Sequence, residues 1–304
     1  MAVVKGRESI GSRLFDAGNY AFLLVLAVTF IYPFWTIILQ AFSPPDDLYR
    51  LGLHVWISDW RLEPWYYVFQ EERVGLAYFN TIFRTVFGTL ASLLVTFTGA
   101  YALSKRNLPF RAPITAVYLM TLFFSGGLIP FYLLIRGMGL INTRLVLILP
   151  LAINVFNIII ARNFLMTIDQ AMEDSAVIDG AGYWRVLFRI MVPLSKPVIA
   201  VIALWNAVSY WNEWFQAMIF APKKHLQVLQ MMVREILLRD RLVDQVDNFM
   251  AQMLEDLGEL GLARIPPESI QAATVLVTIG PIILLYPFVQ KYFVKGVMLG
   301  SLKG

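Results

Sequence analysis

The chain has 304 residues, is 58% hydrophobic and only 15% charged, and carries a net charge of +4. An ordinary soluble domain is about 45–50% apolar and about 25% charged. A mean hydropathy of +0.64 therefore argues against a soluble enzyme, a nucleic-acid-binding domain and a disordered scaffold. With no cysteine, and His54 and His225 as the only histidines, a disulfide framework, a thiol nucleophile and a multi-histidine metal site are excluded as well.

A membrane-crossing helix needs about 20 mostly apolar residues. Six stretches meet that length: Tyr20–Phe42, Tyr78–Leu103, Ala112–Ile135, Leu145–Met166, Ile190–Ala221 and Ile270–Phe293. They predict an all-α membrane protein with six transmembrane helices. The first stretch is too long for the apolar core of a cleaved signal and no small-x-small site follows it. The segment Ser43–Ala77 after it is long and opens on Pro44-Pro45. Lys105, Arg106 and Arg111 crowd a very short loop after the second span. Basic loops stay inside, so both termini are expected inside too. In the third span, Ser125-Gly126-Gly127 with Pro130 predicts a bend, which a membrane bundle tolerates where neighbours satisfy the freed carbonyls.

The loop after the fourth span carries the most specific pattern. Thr167 and Gln170 fit a capping box. Ile168, Ala171, Met172, Ser175 and Ala176 then recur on one helix face as a stripe of mostly small side chains. Gly180 and Gly182 can end that helix, and Tyr183–Ile190 can start another. A short helix is marginal alone and needs a partner, so helix-in-groove docking is one reading. An interfacial helix lying on the membrane is the other; three acids, Asp169, Glu173 and Asp174, and no base count against it.

The fifth span holds Asn206, Tyr210, Asn212, Glu213 and Trp214. Aromatic faces stack on sugar C–H faces while amides and carboxylates bond sugar hydroxyls, so these are candidate substrate-path residues. An aromatic belt at the outer interface fits them equally. Arg84 in the second span lies about 9 Å below the outer face, and Glu213 about 12 Å below it. Matching depth predicts that the two charges are neighbours or share a polar cavity; the competing reading is that Arg84 snorkels to the headgroups. The outer segment Pro222–Ser269 is expected to contain amphipathic helices near Leu226–Leu238 and Leu242–Leu260. It is either a docking surface or a loop folded back on its own bundle.

Asp174-Ser175-Ala176, Asp179-Gly180-Ala181 and, nine residues beyond Gly180, Ile190-Met191-Val192-Pro193 resemble the EAA motif of bacterial ABC importer permeases. Asp174, Ser175 and Val192 depart from its usual Glu, Ala and Leu. Phe123–Leu134, Gly139–Thr143 and Phe293–Gly304 resemble the LplC/YtcP-type branch of carbohydrate permeases, which is similar to the MalG subunit of the maltose importer. The resemblance implies a type-1 ABC importer transmembrane fold at 73–291, preceded by a tail, first helix and outer loop at 1–72 and followed by a cytoplasmic tail at 292–304. It implies a cytoplasmic coupling helix through which Ala171, Met172, Glu173, Asp174, Ser175, Ala176, Asp179, Gly180 and Ala181 meet the ATPase, and a tail, Gly296–Gly304, reaching between the ATPase subunits. It further implies a heterodimer with a second homologous permease, two ATP-binding subunits and an extracytoplasmic solute-binding protein, all in a bacterial cytoplasmic membrane. No G-x-x-x-x-G-K-[ST] occurs, so no cofactor is expected on this chain; ATP and Mg belong to the partner subunits. The expected cargo is an oligosaccharide, with uronate- or rhamnose-containing oligomers as candidates. An ABC importer for a non-sugar solute, an ion-coupled secondary carrier and a membrane enzyme are the alternatives.

Overall fold

The computed structural model describes residues 10–48, 50, 52–70, 72–237, 266 and 268–283. Every regular element among them is helical. The chain divides into two compact units, Met1–Gln70 with Asp240–Val277, and Glu71–Arg239 with Thr278–Gly304.

In the first unit, α1 (Ile10–Gln40) runs 31 residues, about 46 Å at 1.5 Å per residue. Phe22, Leu24, Phe30 and Ile31 are exposed and Leu39 is buried, the pattern of a helix apolar all round. After it, α2 (Pro45–Leu48) and α3 (Glu63–Gln70) frame a segment held by rings rather than by ladders. Phe42 stacks on Trp65 at 5.1 Å and meets Trp60 at 5.3 Å, and Trp56 meets Trp60 at 5.5 Å. Asp47 locks the same segment by accepting from the Ser58 backbone N–H at 2.5 Å and from the Ser58 hydroxyl.

In the second unit, α4 (Glu72–Ser104) is the longest element, 33 residues. Next come α5 (Arg111–Phe123) and α6 (Leu128–Gly137), which meet at 117°. Gly127, at φ +82°, is the N-cap of α6, a backbone angle that only glycine adopts cheaply. The expected bend is where the Ser-Gly-Gly run sits. Two 3-10 turns, Arg144–Leu147 and Leu149–Leu151, meet α7 (Val155–Leu165) at 55°. The Asn154 side chain caps α7 by accepting from the Asn157 N–H at 3.2 Å.

Then follow α8 (Gln170–Ile178), α9 (Tyr183–Val186), a π turn at Leu187–Met191 and α10 (Val192–Leu194). The chain turns by 87° into α11 (Lys196–Asn212). The expected fifth span, Ile190–Ala221, is therefore not one straight helix but turns after Leu194. Pro193 and Pro197 each remove a helical N–H donor, and the turn sits between them. The expected stretch is interrupted a second time: α11 ends at Asn212, and α12 (Phe215–Phe220) starts after a break.

Residues 229–237 form α13. α14 (Glu268–Ile283) is apolar and covers the described part of the sixth expected span. The expected helix at Leu242–Leu260 and the tail Gly296–Gly304 lie outside the described residues. By length and composition, α1, α4 and the three bent pairs permit up to five crossings among the described residues.

Two apolar centres stand among the described residues of the second unit. One joins Phe97 and Ala100 of α4, Ile158 and Ala161 of α7, and Val198 and Ile202 of α11. The other joins Ile135, Val146, Phe220 and Leu226. The segment after α12 folds back on α4: Asn80 Nδ2 donates to the carbonyls of His225 and Gln227, both at 2.9 Å, and the Leu229 N–H donates to Thr81 Oγ1 at 2.9 Å. Of the two readings of the outer segment, its described first part follows the folded-back one.

Candidate functional site

The motif loop folds as the helix that the sequence predicts, with a shifted start. Asp169, not Thr167, is the N-cap: its side chain accepts from the Ala171 N–H at 3.0 Å. The Thr167 hydroxyl donates back to the Phe164 carbonyl at 2.7 Å, so the expected capping box does not form. Gly180, at φ +79°, ends α8. Its N–H donates to the Val177 carbonyl at 3.0 Å, and the Ala181 N–H to the Ala176 carbonyl at 2.9 Å.

The face that α8 presents also differs from the expected stripe. Ala171, Met172, Asp174, Ser175 and Asp179 are exposed. Ala176 is half-buried and packs, with Ile168 and Ala181, on the Phe97–Ile202 cluster. Ala176 thus points back at its own chain rather than away from it. Glu173 points the same way and is 9% exposed. One carboxylate oxygen accepts from the Tyr101 hydroxyl at 2.8 Å, and the other is paired with the Lys105 ammonium. The reason lies in the helical period: positions 173 and 176 share one side. A cleft of about 530 Å³ lies beside this joint, lined by Lys105, Arg106, Gln170, Asp174, Val177 and Tyr183 among others.

The candidate substrate-path residues separate into two groups. Asn206 and Tyr210 are buried. Asn206 Oδ1 accepts from Asn157 Nδ2 at 3.0 Å, and the Tyr210 hydroxyl donates to the Ile148 carbonyl at 2.8 Å. Both sit in the interior of this chain, whereas the other three candidates do not. Asn212 and Trp214 are exposed and Glu213 is half-buried, all at the break between α11 and α12. Arg234 of α13 lies over the Trp214 ring at 4.9 Å, a cation–π geometry.

Arg84 and Glu213 both bond backbone groups at that break. Arg84 is 1% exposed, and its Nη2 donates to the Trp211 carbonyl at 3.1 Å. This carbonyl belongs to the last turn of α11, where the helix dipole is negative. Glu213 Oε1 accepts from the Gln216 N–H at 2.8 Å, in the first turn of α12, where the dipole is positive. The Glu213 carboxylate also acts electrostatically on Arg84. The two charges share one site as expected, each serving one broken helix end. Arg84 is turned into the chain rather than outward from its surface.

Residue-by-residue reading passes over one pattern. Asn80, Arg84, Gly88, Ser92, Thr96 and Ala100 recur at every fourth position of α4. All the side chains in this series are buried, and a Cβ at Gly88 would lie 2.5 Å from the Tyr210 ring. The fourfold spacing itself is the available signal. Tyr101 and Lys105 were likewise legible only as a span residue and a loop charge.

No family model matches the sequence. The polygalacturonan/rhamnogalacturonan transport system permease protein YtcP of Bacillus subtilis (strain 168) is 35% identical over 294 residues, 96% of this chain and 99% of YtcP. Protein LplC of the same organism is 36% identical over 293 residues, 96% of each chain. Among solved structures, a chain of a bacterial ABC transporter involved in the import of the acidic polysaccharide alginate matches with a TM-score of 0.83 and 30% identity, over 95% of this chain and 100% of that one. With identity at this level along nearly its whole length, the chain belongs to the sugar ABC transporter permeases, which are transport components and not enzymes.

Proposed function

We propose that this chain is one of two homologous permeases of an ATP-driven importer that carries a uronate- or rhamnose-containing oligosaccharide across a bacterial cytoplasmic membrane. The observation that carries this reading is the agreement of two relatives over nearly the full length. One is named for polygalacturonan and rhamnogalacturonan transport, the other for import of an acidic polysaccharide. In this reading the type-1 domain occupies 73–291 with six spans in all, both termini lie inside, and α8 is the coupling helix docked on one of two ATP-binding subunits. ATP and Mg are held by those subunits, and permeases of this family need no cofactor of their own. A solute-binding protein delivers the cargo from outside. Asn212, Glu213 and Trp214, exposed or half-exposed at the helix break, are the substrate-facing residues.

The test is uptake by the complete importer, reconstituted with its binding protein. Oligogalacturonides and rhamnogalacturonan fragments should be imported with ATP, and neutral maltooligosaccharides of equal length should not. Equal uptake of both classes, or of neither, would overturn the cargo assignment.

A further inference from the structure

We propose that Glu173 is the positioning residue of α8: it clamps the helix to the end of α4 and thereby fixes which face meets the ATPase. This rests on the reading of α8 as the coupling helix and adds how that helix is held.

The argument starts from length. A nine-residue helix has little stability or fixed direction of its own, so its contacts set both. At 100° per residue, Glu173 and Ala176 fall on one side, and both pack on the chain. Ala171, Asp174, Ser175 and Ile178 fall on the opposite side, spaced i, i+3, i+4 and i+7, and all are exposed.

The clamp has three members. The Glu173 carboxylate takes the Tyr101 hydroxyl on one oxygen and the Lys105 ammonium on the other. Lys105 also lies 3.9 Å from the centre of the Tyr101 ring, so the three groups close on one another. Tyr101 lies in the last turn of α4, and Lys105 directly follows the helix. One bond would leave a pivot; two bonds on separate oxygens fix rotation as well as position. Two adjacent acids therefore take different tasks. Glu173 is committed to this chain, and Asp174, one residue on, is left for the partner. Displacement of α8 passes through the clamp into α4.

The test uses the whole importer in nanodiscs and measures three quantities: ATPase retention, ATP hydrolysis and solute transported per ATP. Glu173→Gln should retain the ATPase and hydrolyse ATP, while transport per ATP falls about tenfold, the order of one lost charged hydrogen bond. Tyr101→Phe, a milder change, should lower the same ratio by a smaller factor. Lys105→Glu combined with Glu173→Lys should recover part of it, which repair of a merely structural defect elsewhere would not do. Asp174→Asn should weaken ATPase retention instead. Unchanged coupling in Glu173→Gln and Tyr101→Phe, or loss of the ATPase in Glu173→Gln with none in Asp174→Asn, would overturn the clamp. Failure of the unmutated chain to retain any ATPase would overturn the coupling-helix reading itself, and is seen before any variant is made.

Discussion

Two single residues set local geometry that can be tested directly. Gly88 sits where α4 meets Tyr210, and a methyl group there would lie 2.5 Å from the ring. The ring cannot swing away freely, because its hydroxyl is tied to the Ile148 carbonyl. Gly88→Ala is therefore expected to destabilise the bundle by about 1–3 kcal/mol, the range for overpacking. Thermal unfolding in detergent should show it, and Gly88→Ala should cost less in a Tyr210→Ala background than in the parent. A Gly88→Ala chain that melts with the parent would remove the close approach. Asp47, in the other unit, has its carboxyl held below the ordinary 3.8 by the Ser58 hydroxyl first, then by the Ser58 N–H and by Arg50. A depressed carboxyl stabilises the fold above its ordinary value and loses that contribution as pH falls through the lower, folded-state value. Fluorescence of Trp56 and Trp60, which flank Ser58, should thus hold steady down to roughly pH 4 and change below it. Asp47→Asn should show the changed signal already at neutral pH. An acid transition of the same size in Asp47→Asn would assign it to another group.

At the scale of elements, the break made by glycine was legible, the turn between Pro193 and Pro197 was not placed although both residues stand in the sequence, and the break made by charges was only half legible. Gly127 and the prolines at 193 and 197 mark bends through lost donors or a positive φ, properties of the residue type itself. The break after Asn212 has neither glycine nor proline. It persists because Arg84 serves the end of α11 and Glu213 the start of α12, and that arrangement depends on an element 127 residues away in sequence. Depth alone brought the two charges to the same level; which carbonyl and which N–H they serve needed the fold. Arg84→Leu leaves Glu213 without its cation. A lone charge within the bilayer costs about 2.5–3.5 kcal/mol on insertion scales, so membrane yield of Arg84→Leu should fall well below that of the double variant Arg84→Leu with Glu213→Gln. Equal yields would mean that the two charges do not compensate each other. The motif helix shows the converse case. Its existence and its glycine stop were legible, but its start and facing were not. Asp169 outcompetes Thr167 as cap, and burial of Glu173 by Tyr101 and Lys105 cannot be read from α8 alone.

At the scale of the molecule, composition sufficed for the class, since so apolar a chain must lie in lipid, and the motif spacing sufficed for the family. Assembly is where facing matters. Ile178 is 85% exposed and lies on the side of α8 opposite Glu173. Ile178→Asp should leave insertion intact and lower retention of the ATPase about 30-fold, corresponding to about 2 kcal/mol for a central interface residue. Ala176→Asp, half-buried against its own core, should instead lower yield of the chain itself. Co-purification separates the two, and the reverse outcome would turn α8 around. The series of every fourth residue along α4 has a mechanical consequence of its own. Four residues advance the helix by about 6 Å and turn it by about 40° beyond a full revolution, so the seam winds around α4 like a screw thread. Near one end it engages α11, through Arg84 on Trp211 and Gly88 on Tyr210. Near the other it engages α7, where Ala100 joins Ile158 and Ala161 in one apolar cluster. A threaded rod held by two nuts cannot slide without turning: each 1.5 Å of axial travel along this seam goes with about 10° of rotation.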